Sequence, residues 1–330
     1  MRGMKNMQTK AFLVAVSTLC GVPAITLAQD GPAAPAAVPS EMAPKASSAQ
    51  INDLAVLSDR LVAVGEKGIV IMSSGGKTWK QAPTPVDVLL NAIFFVDEKR
   101  GWAVGHDASI IHTADGGETW TLQNWNASDN RPLMDVLFLD GQRGFAVGAY
   151  GLFKTTEDGG STWTDFSDPA FEKGPHLNAL SRLGDGTLVL VGESGLSATS
   201  LDGKSWTVHP TGYEGSLFAV IPRGEKGAIA VGMRGTMMEA ADMSCPAWQM
   251  VETQTDKSLF GLLDMGSGKV AVGGNGGALR LLAPGAEPRP IVPPPEAGVS
   301  QATAIGGLAL WQDQVFALTD RGVKTVLLKP

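Results

Sequence analysis

The tightest constraint in this sequence is a string that returns every forty-odd residues. AVG, or a close variant, ends at Gly65, Gly105, Gly148, Gly192, Gly232 and Gly273, and ALT ends at Thr319 in the same frame. The spacings are 40, 43, 44, 40, 41 and 46 residues. Three residues after each stands Gly68, Ala108, Gly151, Gly195, Gly235, Gly276 or Gly322, as expected where a tight turn between two strands demands positive φ. A period of this size marks a repeat architecture, in which one supersecondary unit recurs and buries its face against its neighbours.

A second frame lies upstream of each AVG. It begins at Ile51, Leu90, Leu133, Leu177, Leu217, Leu259 and Ala302, and its fourth column is apolar throughout: Leu54, Ile93, Val136, Leu180, Val220, Leu262 and Ile305. The column before holds small or short side chains, Asp53, Ala92, Asp135, Ala179, Ala219, Gly261 and Ala304, which suits a strand crowded near a central axis. A third frame follows downstream. It is clearest as TADGGETW ending at Trp120 and TEDGGSTW ending at Trp163, and it recurs as MSSGGKTW at Trp79, SLDGKSW at Trp206 and ADMSCPAW at Trp248. The carboxylates of Asp115, Asp158 and Asp202 can accept backbone N–H bonds in such a turn, and the tryptophans anchor the strand that follows.

Each period thus offers about four short strands, and seven units of 40 residues fill residues 51–330. The predicted fold is all-β: a single seven-bladed β-propeller domain of four-stranded antiparallel blades. A solenoid is the alternative, but it requires polar caps. The last unit stops soon after its third strand, GVKTVLLK, so residues 41–50 are a candidate for a closing fourth strand, with Pro44 counting against it. Six prolines within 284–300 are expected to remove or distort the outer edge of the sixth blade, leaving a stiff connector or an extended docking segment.

Residues 1–28 carry three cations, Arg2, Lys5 and Lys10, no acid, and then the apolar run AFLVAVSTLCGVPAITLA ending at Ala28. A charged start, a short apolar core and a small residue at the cut define a secretory signal peptide, so cleavage is expected near Ala28. An uncleaved anchor is the alternative, and Ser17, Thr18 and Leu19 before Cys20 lack the order of a lipoprotein signal. Residues 29–50, rich in Pro, Ala and Ser, read as an extended tether. Removing the leader leaves 23 cations against 33 acids, a formal charge of −10, which argues against non-specific nucleic-acid binding. Cys245 is then the remaining cysteine, so the exported protein relies on its core rather than on a disulfide.

T-x-D-G-G-x-T-W, with G-[WF]-A-V-G a fixed distance upstream, is similar to the Asp-box, or bacterial neuraminidase repeat. Residues 100–120 (RGWAVGHDASIIHTADGGETW) and 143–163 (RGFAVGAYGLFKTTEDGGSTW) resemble the repeats of the photosystem II stability and assembly factor family. The likeness is strong in the second and third units, moderate in the first and fourth, and carried by AVG alone in the last three. It implies an exported propeller on the periplasmic or lumenal side of a membrane, which helps assemble a membrane complex without catalysing a reaction. The implied partner is an integral membrane protein or complex, with peripheral membrane contact open, and the protein is expected to be a monomer.

Because sialidases share the Asp-box, an exported glycan-binding or glycan-hydrolysing propeller is the second reading. Tyr213 adjoins Glu214, but sequence neighbours point apart, and the first blade has no Arg-Ile-Pro. GGKT at 75–78 has Ile71 where a phosphate loop needs glycine, and GGNGG at 273–277 lacks the third glycine of a dinucleotide pattern. His106, His112, His176 and His209 show no metal-ligating spacing. No catalytic, cofactor or metal residue is assigned.

What remains is surface. In a propeller the connectors between blades and the turns after AVG share one face. There Trp125, Phe171 and Tyr213, with Arg131, Arg234 and Arg321, have the composition of binding hot spots, unless the aromatics fold back on the rim. The Asp-box turns and the loops before AVG share the other face. Arg60, Arg100, Arg143, Arg182, Arg223 and Lys269 are expected to ring it, suited to anionic headgroups or an acidic partner, or simply solvated.

Overall fold

The computed structural model describes residues 35–326, so the expected signal peptide lies outside the described residues. The strands form seven antiparallel sheets, six of four strands and a last one of three, always in chain order across the sheet. The first runs Ile51–Val56, Leu61–Gly65, Val70–Ser73 and Lys80–Ala82. The next six begin with the inner strands Leu90–Phe95, Leu133–Phe138, Leu177–Arg182, Leu217–Arg223, Leu259–Asp264 and Ile305–Trp311. Each inner strand packs against that of the next blade, and Ile305–Trp311 packs against Ile51–Val56. The result is a closed seven-bladed β-propeller.

The second strand of each blade shows why AVG recurs. Leu61–Gly65, Gly101–Gly105, Gly144–Gly148 and Leu188–Gly192 are buried at every residue, because a neighbouring blade covers each face of the sheet. Both sides of the strand must therefore be apolar or small, and the usual alternation disappears. The core is correspondingly divided into seven clusters, each shared by two successive blades. Trp102 and Ile110, for example, meet Val136 and Phe138, while Leu61 and Ile71 meet Phe316 and Leu318 across the closing seam.

Space dictates the glycine that ends AVG. A Cβ on Gly65 would stand 1.9 Å from the Gln50 carbonyl oxygen, and one on Gly232 would stand 2.2 Å from that of Ser216. The backbone there is extended, with φ −169° at Gly65, so room rather than conformation excludes a side chain. The displaced chain is used, since Glu66 N donates to that same Gln50 carbonyl at 3.0 Å. Three residues on, both constraints act together. Gly195 has φ +68° and its Cβ would lie 1.8 Å from the Tyr213 carbonyl oxygen. Ala108 holds the equivalent place at φ +49° in the second blade.

Strand register corrects two frames. Leu259 pairs with Gly274 as Leu217 pairs with Gly232, so the sixth repeat ends at Gly274 and Gly277 rather than at Gly273 and Gly276. Ile305 pairs with Thr319 as Ile51 pairs with Gly65, so the seventh inner strand begins its frame at Ile305, not Ala302. Gly307 then replaces Ala304 as the small residue, and Leu308 replaces Ile305 as the apolar one.

The N-terminal segment is not a free tether from residue 35 onward. Trp125 Nε1 donates to Pro35 O at 3.0 Å, Ser40 N to Thr84 O at 3.1 Å, and Gln81 Nε2 to Glu41 O at 2.9 Å. The single 3-10 turn Ala46–Ser48 then packs on both Lys80–Ala82 and Gly322–Val326, bridging the first and last blades. Residues 41–50 thus cover the seam as a connector and add no strand to the seventh blade, where Pro44 and the turn leave no extended run. The sixth blade keeps an outermost strand, Arg289–Pro290, no shorter than Thr164–Asp165 or Thr207–Val208.

Two carboxylates join blades near the axis. Asp53 accepts from Leu54 N and Ile93 N, both at 2.8 Å, and Asp135 from Val136 N at 2.8 Å and Leu180 N at 2.7 Å. Each therefore ties its own inner strand to that of the next blade. Both residues are half-buried beside the axis, and the loss of hydration there pushes Asp53 up to about 6 and Asp135 to about 7 despite the backbone donors, with Asp53 adding repulsion at Asp135.

Two tests follow from these contacts. Gly195→Ala combines positive φ with a backbone overlap and should lower stability by roughly 3 kcal/mol or more, whereas Gly212→Ala, at φ +70° in open space, should cost only about 1 kcal/mol. Thermal unfolding of the two variants checks this; equal losses would show the carbonyl contact to be unimportant. The aspartates bind protons more tightly in the folded chain than in the unfolded one, so stability should fall as pH rises from about 4 through about 7. Asp135→Asn should lose an acceptor yet flatten that slope by on the order of 2 kcal/mol between pH 5 and 8. Denaturant titrations at both pH values provide the measurement.

Candidate functional site

The Asp-box turns are built around their aspartates. Asp115 Oδ1 accepts from Thr119 N at 2.9 Å and Thr113 Oγ1 at 2.8 Å, and Oδ2 accepts from Thr119 Oγ1 at 2.6 Å. Asp158 repeats this arrangement with Thr162 and Thr156, and Asp202 accepts from Lys204 N and Ser205 N. The bonds to Thr162 hold the Asp158 carboxyl below its usual range. The first blade has Ser74 in place of the aspartate and keeps only the hydroxyl bond of the turn, Ser73 Oγ accepting from Gly76 N at 2.8 Å as Thr113 Oγ1 accepts from Gly117 N at 3.0 Å. Trp120 and Trp206 are buried, while Trp79 and Trp163 are half-buried against the same inter-blade clusters. These carboxylates and indoles are committed to the fold.

On the Asp-box face, the loops before AVG place a cation in six of the seven blades. Four are paired with acids. Arg60 meets Asp59 at 3.0 Å and Glu118 at 3.3 Å, Arg100 meets Asp97 at 2.8 Å, Arg143 meets Asp140 at 2.9 Å, and Arg223 meets Glu239 at 3.0 Å. Backbone donors together with the neighbouring arginine hold Asp97 and Asp140 down to about 2. Arg182 instead donates to Leu139 O at 3.4 Å, and neither Arg182 nor Lys269 has an acidic partner among the described residues. Arg182 and Lys269 are thus the two cations of this set without an ion-pair partner among the described residues.

The six candidates on the connector face divide differently. Phe171 is not a surface residue: it is 6% exposed and lies 5.9 Å from the Trp206 ring and 6.0 Å from Phe153. Asp168 folds it back by accepting from Ala170 N at 2.8 Å and Trp206 N at 3.2 Å, which turns the long insert onto the rim. Tyr213 packs on the cluster between the fourth and fifth blades and donates its hydroxyl proton to Met233 O at 3.1 Å, away from a nucleophile's role. Trp125 is half-buried beneath the N-terminal segment, and Arg131 is locked to Asp129 by two bonds of 2.8 Å. Arg234 and Arg321 remain exposed at corresponding places in their turns.

A feature of this face escaped the repeat frames. In every blade the inner strand shifts register at its second residue, so that Asn52, Asn91 and Asn178 are bulged, as are Met134, Phe218, Phe260 and Gly306. These residues surround a cavity of about 550 Å³ at the mouth of the central channel, with His176, Glu193 and Ser216 on its rim. Asn91 Nδ2 donates to Leu133 O at 2.7 Å and Asn178 Nδ2 to Leu217 O at 2.8 Å, so each asparagine reaches the inner strand of the following blade. The Phe218 and Phe260 rings lie 4.9 Å apart. Beside the mouth, Tyr150 sits at φ +53° and is 62% exposed, edge-on to His176 at 4.7 Å. A one-residue bulge cannot be read from a column of mixed Asn, Met, Phe and Gly, although Tyr150 in a positive-φ turn was a readable signal.

Among the described residues no helix is long and apolar enough to cross a membrane. Among solved structures, YCF48 bound to D1 peptide superposes with a TM-score of 0.69 at 19% identity, covering 86% of this chain and 95% of that one. YCF48 from Cyanidioschyzon merolae gives 0.66 at 16% identity, with coverage of 88% and 99%. The WD40 propeller domain of Doa1 gives 0.65 at 11%, with coverage of 86% and 93%, so these likenesses speak for the fold. A curated relative, the chloroplastic photosystem II stability/assembly factor HCF136 of Cyanidioschyzon merolae (strain NIES-3377 / 10D), is 45% identical over 47 residues. That match takes in 14% of this chain and 11% of the relative's length. The model of the family described as photosynthesis system II assembly factor YCF48 matches residues 41–289, which span all but the last blade, and the chain belongs to that family.

Proposed function

We propose that this protein is a non-enzymatic, exported assembly factor that binds a segment of an integral membrane protein through the basic ring of its Asp-box face. Family membership over residues 41–289 is the observation that carries this reading. A relative by fold is described as bound to D1 peptide, and the same class of partner is proposed here. Arg182 and Lys269, without acidic partners, are the cations best placed to give a partner's carboxylates new bonds, while the other four already have theirs. Arg234 and Arg321 on the opposite face are secondary candidates. Export rests on the signal-peptide pattern of residues 1–28, and the periplasm or lumen is the compartment proposed.

The sialidase reading has less support. The Tyr213 hydroxyl is held by a backbone carbonyl, and the described lining of the central mouth contains no arginine to grip a carboxylate. The two readings part in one experiment. Mature protein crosslinked in solubilised membranes should retain an integral membrane protein, and the paired substitution Arg182→Glu and Lys269→Glu should weaken that retention about tenfold or more without changing thermal stability. Retention of soluble proteins alone, or turnover of a sialoside, would overturn the proposal.

A further inference from the structure

We propose that the channel mouth on the connector face is a second binding site, one that takes an arginine side chain presented on a loop of a partner protein. The cavity of about 550 Å³ is large enough for the side chain and the tip of the loop that bears it. Its two halves differ in chemistry. Phe218 and Phe260 form a tilted aromatic pair, with Met134 also on the wall, and all three are only half-buried. Half-exposed aromatic rings at a concave opening mark a place where apolar surface awaits a cover.

The other half offers acceptors. Asn91 and Asn178 each donate from Nδ2 to a backbone carbonyl of a neighbouring strand, at 2.7 and 2.8 Å, which fixes both side chains, and Asn91 Oδ1 in turn accepts from Asn52 Nδ2 at 3.4 Å. Asn178 Oδ1 receives no hydrogen bond from the protein among the described contacts. Glu193 stands at the rim with one carboxylate oxygen accepting from His176 N at 3.1 Å, and the other oxygen is available. No lysine or arginine is among the residues described as lining the cavity. The site therefore combines half-exposed aromatic rings with the open Asn178 Oδ1 and the Glu193 carboxylate.

A guanidinium meets both halves at once. It is planar, it stacks on aromatic faces, and it carries five donors and no acceptor. An ammonium would satisfy the carboxylate but gain less from the ring faces and from several separated acceptors. An acidic side chain would meet oxygen atoms and a net charge of −7 on the chain. The site lies on the face opposite the basic ring, so the proposal does not depend on which partner that ring takes. One face is then suited to acidic segments and the other to a basic one.

The experiment uses the mature full chain and three short blocked peptides that differ at one central residue, arginine, citrulline or glutamate, with binding read by NMR shift perturbation. The arginine peptide should bind, the citrulline peptide at least tenfold more weakly, and the glutamate peptide not measurably. Phe218→Ala with Phe260→Ala should weaken the arginine peptide about tenfold, and Asn178→Lys should abolish binding. Asn178→Asp should tighten it about threefold, a gain that damage to the fold would not produce. The Arg182→Glu and Lys269→Glu variant of the other face should bind the peptide as the natural protein does, which separates this result from the fate of the proposed function. Equal binding of the arginine and glutamate peptides, or an unchanged affinity in Asn178→Asp and Asn178→Lys, would overturn the proposal.

Discussion

Everything in this propeller depends on how closely one strand can pass beneath the connector that enters its own blade. The second strand ends where the preceding connector delivers a carbonyl, and at 1.9 to 2.2 Å that carbonyl occupies the space a Cβ would need at Gly65, Gly105, Gly192 and Gly232. Because the approach is that close, the next backbone N–H can bond the same carbonyl, as Glu66 and Met233 do. The contact sets the level at which each blade sits relative to the axis. With that level repeated around the ring, second strands line up between their neighbours and become buried on both faces. A Leu, Val or Ile fully buried in this way contributes about 1.5–3 kcal/mol from hydrophobic transfer alone, and those contributions are distributed over seven inter-blade clusters rather than one central core.

Ring closure follows from the same geometry. The seventh blade has three strands among the described residues, yet its inner strand packs on the first blade much as any other pair packs. The N-terminal turn lies across the seam in the position a connector takes elsewhere, with the Ser47 carbonyl only 2.1 Å from where a Gly322 Cβ would be. A closing strand is unnecessary when the seam is sealed by apolar packing of Leu61 and Ile71 on Phe316 and Leu318, with the turn as a cover.

Much of this was legible in the residues. Glycine at the end of AVG, the small column of the inner strand and the Asp-box turns each answer a local steric or hydrogen-bonding demand, so each leaves a mark at a fixed spacing. The frames slipped because Gly273 and Gly274 are adjacent and because the small–apolar pair Ala304–Ile305 recurs three residues later as Gly307–Leu308, and pairing with the neighbouring strand alone selects Gly274 and Ile305. The candidate sites were less legible. Phe171 and Tyr213 look exposed on their connectors, but Asp168 and the Met233 carbonyl fold them inward. Arg100 and Arg143 pair with acids three residues earlier in the same loop, a spacing visible in the residues, whereas the bonds of Arg60 to Glu118 and of Arg223 to Glu239 join positions distant in sequence.

The sequence by itself determined the number of blades, their strand order and the turns between them, because these arise from contacts within a single repeat or between one repeat and the connector that enters it. Tertiary structure alone decided which side chains reach the axis. A bulge at the second residue of each inner strand turns Asn52, Asn91, Met134, Asn178, Phe218 and Phe260 toward the channel mouth, and their grouping exists only once seven blades meet. Positions 52 and 260 are separated by most of the chain, and no spacing rule links them. Closure of the ring brings them to one cavity, and that is where the chemistry left open by the repeat resides.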